Sequence, residues 1–341
     1  MKTKSILKND KVNLLFLLLL TIMVLFFSLK GNFVEVVNQI KNLDLFWVFI
    51  AILLTVGYWF FGSLAMHLIS KKFKSDLKFN SIFKLNIVTH FFNGVTPFAS
   101  GGQPYQIYAL TKKKISLVDS TNIAIETFVT YQLALIMIGS VAIISNKIFN
   151  IFPDVAFLKI LVLIGFLINL FVGAGLFAIS FTQKINRFVF KHIINLGSKL
   201  KIVKDKEKTT EKFNNDIEKF HNGTKHLISD KKNLVKIVLL QLLSLITYYS
   251  VPVAILFSMG DFSSFNIMIS IITTAYVMII GAFVPLPGGT GGLEYSFLAL
   301  FGNFIVGSKL TTLMIMWRFV TYYFGMICGA VLFNINRRKS K

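Results

Sequence analysis

The hydrophobic positions of this chain fall into long runs that short polar segments separate. Six of these runs reach about 18 residues or more, the length that an α-helix needs to cross the hydrocarbon core of a bilayer. No small-residue cleavage site of the signal-peptide kind follows the first run, so we expect it to stay in the protein as a helix. The predicted spans are Val12–Leu29, Leu45–Ile69, Ile115–Ser145, Val155–Phe181, Asn233–Met259 and Leu310–Ile335.

Composition supports this interpretation. The chain is 55% hydrophobic and its mean hydropathy is +0.69, whereas soluble domains are about 45–50% apolar. We therefore expect an all-α, polytopic integral membrane protein that forms a single domain over residues 1–341. The net charge of +21 suggests nucleic-acid binding, but the basic residues lie between the spans with few aromatics among them. A positive-inside bias explains them better, and no nucleic-acid partner is expected.

The distribution of lysine and arginine predicts the orientation. If every lysine-rich segment lies on one side, both termini and the loop 182–232 are cytoplasmic, as in a multi-pass protein of the bacterial cell membrane. Two apolar regions interrupted by glycine and proline, Phe79–Leu110 and Asn266–Val306, must then enter and leave from inside and from outside, respectively. We predict two re-entrant helical hairpins; two short crossings in each region, giving eight or more spans, are the alternative. The basic residues left for the outside are Lys30, Lys41, Lys147, Lys159 and Lys309.

The two interrupted regions contain a repeat. Shifted by 190 residues, "TPFASGGQPYQIYAL" (Thr96–Leu110) aligns with "LPGGTGGLEYSFLAL" (Leu286–Leu300) at six identical positions of fifteen. Because one tip enters from each side, the halves are predicted to be inverted-topology repeats. Matched, broken helices of this kind indicate a transporter binding site, since their unpaired backbone groups must line a cavity or be buried in protein. The alternative is that the glycines merely allow close helix packing.

Helix starts at Gly102 and Gly292 would direct partial positive charge into such a cavity, which suits a phosphate group. The glycines do not form a nucleotide loop, because the Lys-Ser/Thr pair that completes a P-loop is missing. Motifs for metal ligands, dinucleotides and hydrolase nucleophiles are also missing from the sequence. We therefore expect no cofactor, no metal and no catalytic residue.

Polar residues inside apolar runs are the other candidates. An arginine near a helix centre normally marks a pathway or an ion pair, so Arg318 either holds a lipid phosphate or pairs with Glu126. For Glu126 the alternatives are a proton-coupling carboxylate, the partner of Arg318, and a glutamate satisfied by neighbouring helices. Glu294 follows the second glycine pair in the first turn of a helix, where the helix dipole alone would favour a carboxylate.

Weaker candidates lie in the first hairpin. Lys84 and His90 line one side of its first helix together with Asn93, although a single buried histidine is more often a packing residue. Gln103 either binds a headgroup or lies at the membrane interface.

The two motifs, together with "RFVTYYFG" from Arg318 onward, resemble the lysylphosphatidylglycerol synthase transmembrane region, a flippase-like family that includes the membrane half of bacterial multiple-peptide-resistance proteins. The resemblance implies movement of a phospholipid, such as lysyl-phosphatidylglycerol, from the inner to the outer leaflet. The family often has Glu-Arg where this chain has Glu126 and Thr127, and its soluble aminoacyl-transferase domain has no counterpart among these residues. The motif positions that the resemblance implicates are Pro97, Gly101, Gly102, Gln103, Pro104, Pro287, Gly288, Gly289, Gly291 and Glu294.

Three hypotheses follow. The first is a lipid translocator, with the phosphate near Arg318 and the glycine tips; a lipid-linked sugar or isoprenoid phosphate would suit the same cavity. The second is a phosphatidylglycerol lysyltransferase, as the family name suggests. The third is a scaffold that binds a partner through the loop 182–232, where apolar residues at helical spacing predict an amphipathic helix attracted to anionic lipid headgroups. The oligomeric state, including a homo-oligomer, stays open.

Overall fold

The computed structural model describes residues 33–152, 156–182, 217–221, 223–224, 229–281 and 284–339. All regular elements in these ranges are helical, which confirms an all-α, polytopic membrane protein. The helices are α1 (Phe33–Lys41), α2 (Leu45–Phe73), α3 (Phe79–Val95), α4 (Gly102–Thr111), α5 (Leu117–Phe149), α6 (Ala156–Phe181), α7 (Lys231–Tyr249), α8 (Val251–Ser258), α9 (Ile267–Gly281), α10 (Gly292–Phe301), α11 (Gly307–Arg318) and α12 (Phe324–Lys339).

Five of the predicted spans correspond to helical segments that are long and apolar enough to cross a membrane. The sixth, Val12–Leu29, lies outside the described residues. The segment Lys231–Ser258 consists of α7 and α8. The helix is interrupted between them because Pro252 has no backbone N–H to donate. The five segments are Leu45–Phe73, Leu117–Phe149, Leu158–Ala178, Lys231–Ser258 and Gly307–Ile335.

Side-chain caps explain where three of the long helices begin. The carboxylate of Asp44 accepts the N–H of Phe46 at 2.9 Å at the start of α2. Ser116 caps α5 by accepting the N–H of Asp119 at 3.0 Å. Asp230 likewise caps α7. Each cap satisfies one of the N–H groups that a helix start leaves without a partner.

The 190-residue repeat found in the sequence is also present in the backbone. The helices α4 and α10 begin 190 residues apart and contain ten residues each, and α5 and α11 begin with the same offset. A short 3-10 turn precedes each ten-residue helix, at Pro97–Ala99 and at Pro287–Gly289. Ten residues rise about 15 Å, half of the roughly 30 Å hydrocarbon core. Each of α4 and α10 is therefore about half as long as a full span.

Two apolar clusters fix the hairpins to the spans. Phe297 stacks on Phe301 and on Trp317, with ring centroids 4.2 and 4.6 Å apart, which joins α10 to α11. In the other half, Ile82 and Leu110 of the first hairpin are buried in a second cluster with residues of α2, α5 and α7. The hairpins are thus packed inside the protein, and the two 3-10 turns contact each other.

Part of the loop 182–232 also lies on this helical body. Gly223 packs closely against Phe73 of α2 and Asn122 of α5, and the hydroxyl of Thr224 donates to Asn122 Oδ1 at 3.3 Å. Ile217 and His221 are buried as well. The face that these residues form is therefore turned toward the protein. Phe213 and Leu227, which the amphipathic pattern also included, lie outside the described residues.

Asp261 holds the turn between α8 and α9 against the start of α11. Its carboxylate accepts the hydroxyl of Ser264 at 2.7 Å and the backbone N–H groups of Ser263 and Ser264. It also forms an ion pair of 3.3 Å with Lys309. Burial alone would raise the pKa of Asp261, but the hydrogen bonds from Ser264 and Ser263 and the Lys309 ammonium outweigh it and hold the pKa well below its usual range.

We expect Asp261→Asn to lower the free energy of unfolding by about 1–2 kcal/mol at neutral pH, because hydrogen bonds to a carboxylate are stronger than those to an amide. A depressed pKa stabilises the fold above the pKa of an unfolded aspartate, about 3.9, and the stabilisation is lost as pH falls through the lower pKa of the folded state. Thermal unfolding in detergent should therefore show a difference in free energy of unfolding between Asp261→Asn and the wild type that becomes smaller below about pH 4. A difference that stays constant down to pH 2 would contradict this role of the Asp261 carboxylate.

Candidate functional site

The meeting point of the two hairpin tips is the candidate site. Both turns place two successive residues at positive φ: Phe98 and Ala99 at 53° and 51°, and Gly288 and Gly289 at 62° and 64°. This left-handed region suits glycine and strains other residues. The tips also differ in burial, because Phe98 is 63% exposed whereas Pro287 is buried. The first tip is thus open and strained, and the second is packed into the protein.

Neutral side chains hold the first tip. The N–H of Gly101 donates to Thr96 Oγ1 and the N–H of Gly102 to Asn93 Oδ1, both at 2.8 Å. A Cβ on Gly102 would overlap the Asn93 side chain, so the contact requires glycine there. The first donors of α4, which we expected to face a phosphate, are therefore occupied by residues of the same hairpin.

Charged side chains hold the second tip. Glu294 Oε2 accepts the N–H of Gly291 at 2.7 Å, and its Oε1 lies 2.8 Å from Arg318 Nε. The Nε–H bond is not directed at a hydrogen-bond acceptor among the described atoms, so this contact is an ion pair more than a directed hydrogen bond. Arg318 Nη2 donates to the carbonyl of Gly288 at 3.0 Å. Both charged side chains are 6% exposed.

Tyr322 connects the two tips, and sequence reasoning missed it. Its hydroxyl donates to the carbonyl of Gly94, at the end of α3, at 2.8 Å. Its ring lies against Gly288 and below the Arg318 guanidinium, whose carbon is 4.5 Å from the ring centroid. A signal was available in "RFVTYYFG", because the fourth residue after Arg318 shares its helix face.

A π-helical segment, Phe319–Tyr323, joins α11 to α12 and contains Tyr322. Single π turns inside α-helices occur frequently at functional sites. The corresponding stretch of α5, one repeat earlier, is regular α-helix. The π-helical segment therefore occurs beside Arg318 and Tyr322 in the second half and has no counterpart at the matching position of the first half.

The ion pair belongs to one half of the repeat. Shifted by 190 residues, Glu294 corresponds to Pro104 and Arg318 to Phe128. Both members of the pair are thus absent together from the first half, where a single charge would have no partner.

Glu126 does not join this site. Arg318 pairs with Glu294, which answers the question of its partner that the sequence left open. Glu126 is 2% exposed on α5, and neither of its carboxylate oxygens has a hydrogen-bond partner among the described residues.

The remaining predicted residues lie at varied positions. Lys84 is exposed on α3, whereas His90 is half-buried between the rings of Tyr58 and Trp59, at centroid distances of 5.4 and 5.7 Å.

The burial of the motif residues also differs between the two tips. Pro97 and Pro104 are exposed, Gly101, Gln103, Gly288, Gly289, Gly291 and Gly292 are half-buried, and Gly102 and Pro287 are buried.

Tyrosines from three spans lie beside the site, and the sequence did not single them out. Tyr248 of α7 lies close enough to Arg318 for an electrostatic interaction. Its ring centroid is 4.8 Å from that of Tyr58 on α2, and Tyr131 of α5 neighbours Tyr58. All three are half-buried, so they extend the polar surface from Arg318 toward His90.

These features define a polytopic membrane protein with two broken helical hairpins that meet at a buried ion pair. Residues 13–329 match the family described as the lysylphosphatidylglycerol synthase TM region, and the chain belongs to this family. It is also similar to a UPF0104 membrane protein of Archaeoglobus fulgidus, with 25% identity over 316 residues that cover 89% of this chain and 90% of that protein. The resemblance seen in the motifs is thereby confirmed.

Proposed function

We propose that this protein moves a phosphate-containing lipid, such as lysyl-phosphatidylglycerol, between the leaflets of the cell membrane. The observation that carries the proposal is the Arg318–Glu294 pair, buried where the tips meet. A buried pair is weak evidence for stability, because desolvation offsets much of its attraction. Ionisable residues at membrane depth are expected to serve a pathway.

The contacts of the pair suit exchange of a carboxylate for a phosphate. A guanidinium has five N–H donors in a fork that matches phosphate oxygens, and Arg318 Nη2 donates one directed hydrogen bond to the carbonyl of Gly288. Glu294 would keep the N–H of Gly291 when it releases Arg318. A lipid phosphate would therefore replace the carboxylate as the partner of Arg318, and Glu294 would keep one hydrogen-bond donor, the N–H of Gly291, without a counter-charge.

The open tip supplies the route to this site. Pro97, Phe98 and Ser100 are exposed, whereas the second tip is packed against Tyr322. The headgroup passes beside the first tip while the acyl chains stay in the bilayer. In this proposal both termini are cytoplasmic, and anionic headgroups bind the basic part of the loop 182–232.

A vesicle assay tests the proposal. The purified chain is reconstituted into phosphatidylcholine vesicles that contain trace phosphatidylglycerol with a fluorescent acyl chain, and the fraction accessible to an external quencher is followed in time. We expect exchange between leaflets to be faster than in protein-free vesicles by about tenfold or more, equivalent to about 1.4 kcal/mol of barrier. Equal rates would contradict the proposal. Formation of a lysyl-lipid from lysyl-tRNA and phosphatidylglycerol would instead support the lysyltransferase hypothesis.

A further inference from the structure

Glu126 is a buried ionisable residue that the lipid site does not use. It lies within the membrane-spanning α5, is 2% exposed, and has no hydrogen-bond partner for either oxygen among the described residues. An ionised carboxylate in such surroundings is costly unless a counter-charge or hydrogen bonds compensate it. The side chain is therefore suited to a state in which it carries a proton.

A polar column leads from the loop to Glu126. Asn122, Glu126 and Thr130 follow one another at intervals of four residues on one face of α5, and all three are buried. Asn122 Oδ1 accepts the hydroxyl of Thr224 at 3.3 Å, and Asn122 Nδ2 has no partner within the described part of the chain. The column thus runs from the lysine-rich side of the protein into α5.

Charged and polar groups lie around Glu126 on the neighbouring elements. Lys72 of α2 is one such charged group, and a positive charge near a carboxyl group favours its ionised form. Buried histidines lie on the neighbouring elements, His67 on α2 and His221 in the loop segment, while α4 and α7 carry the buried neutral amides of Gln106 and Gln241. Burial opposes Lys72 by favouring the neutral acid. A carboxyl group under these two opposing influences is suited to binding and releasing a proton.

We propose that Glu126 is a proton-binding site, loaded from the side of the protein on which Thr224 and Asn122 lie, that couples lipid movement to the proton gradient. The carboxylate takes one proton from water on the loop side and becomes a neutral acid, and it later returns that proton to water on the opposite side of the membrane. The coupling rests on the proposed lipid movement, whereas proton binding by Glu126 does not.

Infrared spectroscopy of the full chain in vesicles tests proton binding without any transport. We expect a carboxylic-acid carbonyl band that titrates with pH, that Glu126→Gln removes and that Glu126→Asp shifts. The matched control is Asp76→Asn, because that carboxylate is exposed at the end of α2, and it should leave the band unchanged. A band that persists in Glu126→Gln would overturn the proposal.

The fluorescent-phosphatidylglycerol assay then tests coupling. In the wild type and in Asp76→Asn, exchange with an imposed pH gradient should be faster than without one; in Glu126→Gln the two rates should be equal, or transport lost. If Glu126→Gln responds to the gradient as the wild type does, or if the wild type moves lipid without any response, the coupling is wrong. If the wild type moves no lipid at all, the proposed function fails, and the infrared result still decides whether Glu126 binds a proton.

Discussion

Arg318→Gln is expected to abolish lipid exchange and to lower the free energy of unfolding by about 3–5 kcal/mol. The change removes the charge that would hold the phosphate. It also leaves the Glu294 carboxylate buried, with the N–H of Gly291 as its hydrogen-bond donor but without a counter-charge. The vesicle assay measures the first effect and thermal unfolding in detergent the second.

Charge removal at both positions separates stability from function. Glu294→Gln should destabilise less than Arg318→Gln, because the amide oxygen still accepts the N–H of Gly291 and Arg318 keeps the carbonyl of Gly288. The double variant Arg318→Gln/Glu294→Gln contains no unpaired charge, so its loss of stability should be smaller than the sum of the losses in the two single variants. We expect lipid exchange to stay abolished in it, because no guanidinium is left to bind phosphate.

An ion pair whose lysine is exposed supplies the control for these variants. Lys309 lies 3.3 Å from Asp261 and its side chain is 49% exposed, so Lys309→Gln should cost at most about 1 kcal/mol and leave lipid exchange unchanged. Normal exchange by a folded Arg318→Gln/Glu294→Gln protein would show that the buried pair is structural and would remove Arg318 from the mechanism.

The sequence predicted the spans and the tips well, for physical reasons. Hydrocarbon thickness fixes the length of an apolar run, so the predicted span Leu45–Ile69 differs from α2 (Leu45–Phe73) by four residues at one end. Proline and glycine mark where helices break, and the helix starts expected at Gly102 and Gly292 were confirmed. Local chemistry is sufficient for features of this kind.

The partners of the charged residues could not be predicted in the same way. Arg318 and Glu126 lie far apart in the sequence, so only the tertiary fold could show that they do not pair. Helix capping alone was enough to explain the position of Glu294. The repeat itself held a clue, because Pro104 and Phe128 replace Glu294 and Arg318 together.

Gly288→Ala is expected to lower the free energy of unfolding by about 1–2 kcal/mol through strain at its positive φ, and by a further 1–3 kcal/mol or so through overlap. A Cβ at this position would collide with the ring of Tyr322. The ring would have to move, and its hydroxyl would lose the carbonyl of Gly94. Because Tyr322 is one of the contacts that join the tips, we also expect slower lipid exchange. Thermal unfolding and the vesicle assay measure the two effects.

Gly260→Ala is the matched control. Gly260 has a φ of +72°, close to the +62° of Gly288, but nothing lies within 4 Å of the position that its Cβ would occupy. Gly260→Ala therefore introduces the backbone strain without the overlap, at a position away from both tips. Its free energy of unfolding should fall by about 1–2 kcal/mol, and its lipid exchange should be normal. Equal effects of the two substitutions would mean that Tyr322 does not hold the tips together. A larger effect at Gly288, on both stability and exchange, would identify the contact between the tips as the part of the repeat on which function depends.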